Sequence, residues 1–389
     1  MKIGIYSSCL NNALAANVSL SVLATILARQ HEIEIIRLKE STVKTSIEGT
    51  FPIRAVERPP QIVTDPNSPD RRYQALRDWS NELTRPYDLF INLADRLPVY
   101  CAAPRGVLLI QSPHDFMPVI YGSLWQAHLD SYQLKLANSY YTRFWTKVFW
   151  ETDCEVLYPP VPSLNPSHKD QSIVLSGRFN AVEGDSELKL ISIFKELKPE
   201  LAEWSLTIIG DLYENRASQR SFAAVDKAAK EAGVSVFANP TYDELRSLLQ
   251  RAKLLWQADG WNDDPERRPE DSEGFSLKVA QAMSAGCVPQ VPNCGGLPEL
   301  IKHEQNGFFW RDPRELKNHT LMLSRDEGKR LRLVKAARKR AHDFRPERFN
   351  EGFLNHLESA FGIRSYSSAN PAWLWRRFIA RNPARRVFR

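Results

Sequence analysis

The sequence predicts an α/β protein built as two similar halves, each a parallel sheet with helices on both faces. Three observations predict it. Strand-like and helix-like segments alternate along most of the chain, and a strand followed by a crossover helix returns parallel to its neighbour. The 389 residues exceed what one ordinary core fills and suit two domains. Finally, Pro159, Pro160 and Pro162 cluster near the middle, where they stop helix and read as a linker.

The elements follow in order. Residues 2–8 predict the first strand, 16–29 a helix and 32–38 the second strand. Residues 40–70 are rich in Pro, Ser and Thr with little periodicity, which reads as loop or irregular strand. Apolar runs at 88–93, 106–111 and 133–138 predict three further strands, with a helix over 141–149. After the prolines, 173–176, 206–209, 234–238, 254–257 and 288–291 predict a second sheet. Thr241 and Glu244 stand three apart before an apolar run, the spacing of a capping box. A basic helix is expected over 326–342. Another spans 346–361, with Pro346 in its first turn and Phe349, Phe353, Leu354 and Leu357 on one face. Two such halves predict a ligand cleft between them, outside the carboxyl ends of the strands.

Composition narrows the class. Apolar content of 43% and charged content of 25% are those of a soluble globular protein. The five cysteines, Cys9, Cys101, Cys154, Cys287 and Cys294, are odd in number and scattered, which predicts reduced thiols in the cytoplasm. The first residues lack the long apolar centre of a signal peptide, and no apolar run is long enough to span a bilayer. The net charge of +6 equals the six arginines of residues 371–389, a tail without Asp or Glu, so the body is formally neutral. A neutral body argues against nucleic acid as a partner, because such surfaces bind largely by neutralising phosphate. The tail also carries Trp373, Leu374, Trp375, Phe378 and Ile379. That mixture suits an anionic membrane surface, and equally a basic end or a helix packing on its own protein.

The chemistry concentrates in Glu273-Gly274-Phe275-Ser276-Leu277, continuing to Gln281 and Gly286, and in Asn293-Cys294-Gly295-Gly296-Leu297-Pro298-Glu299. A carboxylate leads into a glycine turn that opens a short helix. The backbone N–H groups of Phe275, Ser276 and Leu277 would then aim the positive helix end at phosphate oxygens, and Gly295 with Gly296 would let backbone approach a ligand. Arg178, after Gly177 at the end of a strand, offers a guanidinium fork to a diphosphate. These residues resemble the donor site of the retaining family-4 glycosyltransferases, glycosyl transferases of group 1 with the GT-B fold, in which two Rossmann-like domains face each other across a cleft. The likeness is strongest over residues 156–353.

The resemblance implies specific roles. Arg178 would stabilise the leaving nucleotide diphosphate, Glu273 would bind hydroxyls of the donor sugar, and Gly177, Gly274, Phe275, Ser276, Leu277, Gly295 and Gly296 would line the donor. His114, in the run 111–115, would lie beside the reacting sugar. The family's second glutamate is replaced by Gln281, which can accept from one ribose hydroxyl and donate to the other; a solvated helix glutamine is the plain alternative. Further departures are Glu183, Asp185 and Glu187 where the family carries a lysine for the phosphates, with Lys189 the next base; 14–17 in place of a Gly-Gly loop; and Gln257 where relatives carry histidine. Asn138-Ser139 and Glu299 are expected to be structural. Asp263-Asp264 reads as solvated, since the family needs neither metal nor cofactor.

The expected domains are 1–160 on the acceptor side, 161–345 for the nucleotide sugar, a crossover helix 346–361 returning to the first domain, and the basic aromatic tail 362–389. The expected function is retaining, metal-independent hexosyl transfer from a nucleotide-diphosphate sugar to a glycan or lipid-linked acceptor in cell-surface polysaccharide biosynthesis. The protein would be cytoplasmic and peripheral at the inner membrane. The alternative is a catalytically impaired GT-B scaffold or binding subunit, and weaker ones are a sugar-nucleotide epimerase or a phosphorylase.

Overall fold

The computed structural model describes residues 1–7, 14–39, 50–60, 69–94, 98–112, 123–179, 184–213, 215–261, 269 and 272–363, the side chains of 14–17, 69–73, 123–124, 178 and 184–185 excepted. The chain divides into two compact units, Met1–Pro160 with Pro346–Arg389, and Val161–Arg345.

The first unit runs β1 (Lys2–Ser7), α1 (Leu14–Leu27), β2 (Glu32–Leu38), β3 (Ile53–Val56), α2 (Pro69–Thr84), β4 (Leu89–Ala94), β5 (Gly106–Ile110), α3 (Ser123–Asp130), β6 (Leu134–Ala137), α4 (Tyr140–Trp150) and β7 (Glu155–Val156). Its sheet is wholly parallel in the order β3-β2-β1-β4-β5-β6-β7. Side chains alternate across a strand, and the core divides accordingly. Ile3, Ile5, Ile33, Ile35, Val107 and Leu109 join one cluster with Leu20 and Leu23 of α1. Tyr6, Ile36, Leu108 and Ile110 join the other, with Trp125 and Trp150. Helix Pro346–Phe361 adds Phe349, Phe353, Leu354 and Leu357 to the first cluster. Their spacing puts them on one helical face, and truncating the fully buried Phe353 to alanine would cost about 3–5 kcal/mol.

Of the stretch 40–70, read as loop or irregular strand, residues 50–60, 69 and 70 are described. β3 occupies Ile53–Val56, and α2 opens at Pro69. Periodicity hides α2 because its sequence is mostly polar; only Leu76, Ser80, Leu83 and Thr84 of its described side chains are buried.

The second unit runs β8 (Asp170–Arg178), α5 (Gly184–Leu197), β9 (Ser205–Asp211), α6 (Arg216–Ala232), β10 (Ser235–Ala238), α7 (Tyr242–Arg251), β11 (Ala252–Gln257), α8 (Leu277–Ser284), β12 (Val288–Pro292), α9 (Leu297–Leu300), β13 (Phe308–Trp310), α10 (Pro313–Arg325) and α11 (Glu327–Ala341). β13 is an addition to the sequence reading: three residues, anchored by the buried Phe308 and Trp310. The sheet is parallel in the order β10-β9-β8-β11-β12-β13. Counted within the unit, that order is 3-2-1-4-5-6, the arrangement of dinucleotide-binding sheets. The first six strands of the other unit follow it too. The capping box forms at α7: Thr241 Oγ1 accepts from Glu244 N, and Glu244 Oε2 accepts from Thr241 N at 2.7 Å.

Candidate functional site

In a sheet of order 3-2-1-4-5-6, connections leave in opposite directions from the first and fourth strands, which opens a crevice at their carboxyl ends. In the second unit those strands are β8 and β11, paired in register with Gln257 opposite Ser176. β8 ends in Ser176-Gly177-Arg178, and β11 ends at Gln257 and is followed by Asp259. The Glu273–Ser276 turn and α8 lie at the same edge.

Gln257 organises this edge. Its side chain is fully buried, and Nε2 donates to Glu273 Oε2 at 3.1 Å and to Asp259 Oδ2 at 3.0 Å. Ser276 Oγ donates to Gln257 Oε1 at 3.4 Å and caps α8 by accepting from Val279 N. One amide therefore ties two carboxylates to the start of a helix. Glutamine supplies two N–H donors, and hydrogen bonds to carboxylate are stronger than neutral ones, so Glu273 is held at the crevice in one orientation.

The glycine pair packs against the backbone of the Glu273 turn. Gly296 N donates to Glu273 O at 2.9 Å. A Cβ on Gly295 would stand 2.6 Å from that same carbonyl, and one on Gly296 would overlap the Gly274 carbonyl oxygen. The backbone of Glu273 and Gly274 thus takes the space these glycines leave, and Gly295 adopts φ +56° to reach it. Gly295 and Gly296 brace the carboxylate from behind.

Two charged groups that the sequence reading passed over complete the edge. Lys278 Nζ, in the first turn of α8, lies 2.9 Å from Asp211 Oδ2 at the end of β9. Arg178 is the register partner of Asp211, so the lysine spans the carboxyl end of β8. Strand ends and helix starts were both visible in the sequence; that these two meet was not. Glu187, in the first turn of α5, is buried with its carboxylate against the α-carbon of Gly177.

Gln281 is fully buried, and neither Nε2 nor Oε1 has a hydrogen-bond partner among the described residues. A solvated helix glutamine is thereby ruled out. Leaving such an amide unpaired costs on the order of 1–3 kcal/mol. Phe275 is buried against Phe344, their rings 5.3 Å apart, and Leu277 is buried in the opening turn of α8. Lys189 sits over the Trp261 ring, 5.3 Å from its centroid. Asn138 Nδ2 donates to Gln111 O, and Ser139 caps α4.

The backbone of Arg178 closes β8, while its side chain lies outside what is described. His114, Glu183, Asp263 and Asp264, with the tail beyond 363, also fall outside the described residues, as do the side chains of Asp185 and of 14–17. Among the described residues no cluster of His, Cys, Asp and Glu could hold a metal ion, and no helix is long and apolar enough to cross a membrane.

Residues 162–340 match the model of the family described as glycosyl transferases group 1. The second unit is similar to that family. No curated protein matches the chain in sequence. Among solved structures, Anabaena Alr3699/HepE in complex with UDP-glucose aligns with TM-score 0.68 at 16% identity, covering 92% of this chain and 100% of that one. A glycosyltransferase from Rickettsia africae ESF-5 aligns at 0.67 and 13% identity, covering 93% and 99%. Sucrose-phosphate synthase from Thermosynechococcus elongatus aligns at 0.65 and 14%, also covering 93% and 99%. At these identities the likeness is one of fold, two Rossmann-like units of the GT-B kind. The group 1 match covers the unit that carries Glu273, Gln257, Lys278 and Gln281.

Proposed function

We propose that the protein transfers a sugar from a nucleotide-diphosphate sugar to an acceptor, with retention of anomeric configuration and without a metal ion. The observation that carries this reading is the Gln257–Glu273 bond at the switch point of the second sheet. It fixes a carboxylate where such folds bind the ligand, beside the first turn of a helix. Glu273 would orient the sugar by accepting from its hydroxyls. Arg178 would stabilise the charge that gathers on the diphosphate as the glycosidic bond breaks, and Gln281 would exchange its unpaired amide for the ribose hydroxyls. A donor phosphate oxygen would take the acceptor proton on the face from which the diphosphate departs. His114 is proposed beside the reacting sugar. In support, Alr3699/HepE was solved with UDP-glucose. A glycan or lipid-linked acceptor of surface polysaccharide assembly, met at the inner membrane through the arginine tail, completes the proposal.

Incubation with a panel of nucleotide sugars and candidate acceptors tests it. Release of a nucleoside diphosphate with product of the donor's anomeric configuration, read by NMR, is the expected outcome; an inverted product would overturn the retaining mechanism. The buried neutral Gln281 favours one second reading, a scaffold that has lost donor chemistry. Binding of a nucleoside diphosphate without turnover on any acceptor would establish that reading instead.

A further inference from the structure

In a unit of this order the first βα turn, here from β8 to α5, is where a phosphate ordinarily meets a helix N-terminus. In this chain that place is altered. Glu187, in the first turn of α5, is buried and lies against Gly177. A carboxylate at that place repels an anion. The segment between β8 and α5 adds Glu183, α5 itself carries Asp185, and the next Lys or Arg after Arg178 is Lys189.

On the other side of β8 the charge is reversed. Lys278 stands in the first turn of α8, its side chain mostly buried at 18% exposure, and reaches across the end of β8 to Asp211 at 2.9 Å. Gln281, three residues further on and so on the same helical face, is fully buried with its amide unpaired. A cation, a helix N-terminus and an unpaired buried polar group therefore converge at one edge of the crevice. A lysine ammonium carries three donors, so Lys278 can keep Asp211 on one and offer the others to a phosphate. Asp211 then serves to hold the flexible lysine stem over β8.

We infer that Lys278, positioned by Asp211 at the start of α8, is a second phosphate-binding cation of this protein beside Arg178. This rests on the donor reading proposed above and adds a residue to it. The ligand is the diphosphate of the nucleotide, so the contact acts on diphosphates and leaves nucleosides untouched.

The experiment compares UDP, ADP, GDP and TDP, each with its parent nucleoside, by calorimetry on the full chain. The wild type should bind one diphosphate more tightly than its nucleoside. Lys278→Met should weaken that diphosphate by at least roughly tenfold, the order of one hydrogen bond to a charged group, and leave the nucleoside unchanged. Lys278→Arg should restore most of the difference. The unchanged nucleoside affinity reports an intact fold. Equal affinity of Lys278→Met and wild type for the diphosphate would overturn the inference while leaving the donor reading standing. Equal loss for diphosphate and nucleoside would overturn it too, since a phosphate contact does not act on a nucleoside. A wild type silent to the whole panel would bring down the donor reading and this inference together.

Discussion

Gln257 Nε2 donates to Glu273 Oε2 at 3.1 Å and, in the same plane of donors, to Asp259 Oδ2 at 3.0 Å. A buried amide that serves two carboxylates cannot be replaced by an apolar isostere without leaving both with one donor fewer. Gln257→Leu is therefore expected to destabilise the second unit by about 1.5–3 kcal/mol, the range for hydrogen bonds to charged groups. Sugar transfer should fall further, because Glu273 loses its orientation. Urea denaturation and the transfer assay check the two parts separately.

Gly296→Ala forces a methyl group onto the Gly274 carbonyl oxygen. The loop must shift, and it carries Glu273 with it. Overpacking of this kind costs about 1–3 kcal/mol, so the melting temperature should drop and donor affinity with it. Gly233→Ala is the control: its position, unlike that of Gly296, is at positive φ, and no atom lies within 4 Å of the added carbon. It should cost stability and leave donor affinity alone.

The thiols are ranked by burial. Desolvation holds Cys101 up at about 12 and Cys154 at about 11, and raises Cys287 as well. The thiolate is the reactive form. At pH 8 the folded protein should therefore react with an alkylating reagent at Cys294, which is partly exposed, well before the other three. Peptide mass spectrometry over a time course reads the order, and early labelling of Cys101 would contradict the packing of the first unit.

Acidification should weaken the first unit through His128. This ring is buried, with Nδ1 2.9 Å from the Pro98 carbonyl oxygen. That oxygen can only accept, so Nδ1 carries a hydrogen. Burial depresses the pKa below 6.5. Below pH 6.5 the unfolded state binds the proton more readily than the folded one, so stability is full above that value and declines as pH falls through the window beneath it. Denaturation midpoints between pH 7.5 and 5 should show the decline. In His128→Gln it should be shallower, with the remainder coming from His31 and His356 of the same unit, whose pKa values burial also lowers.

Much of this was legible in the sequence. Alternating strand and helix patterns determined two parallel α/β halves, because period 2 and period 3.6 impose different sets of inward residues. The prolines marked the joint, Thr241 with Glu244 marked a helix start, and Phe349, Phe353 and Leu357 marked the face that helix Pro346–Phe361 buries. The motif from Glu273 to Gly296 pointed to the edge of the second sheet where Gln257 meets Glu273. Helix α2 and strand β13 stayed hidden, one too polar for an apolar stripe and the other too short for any period. What only the tertiary structure decided is which distant residues meet. Parallel order brings Asp211 to Lys278 and Gln257 to Glu273, and the loop at Gly295 onto the carbonyl of Glu273. Sequence patterns report how a residue relates to its neighbours along the chain, whereas a binding crevice is made where strand ends that are far apart in the chain come to lie side by side.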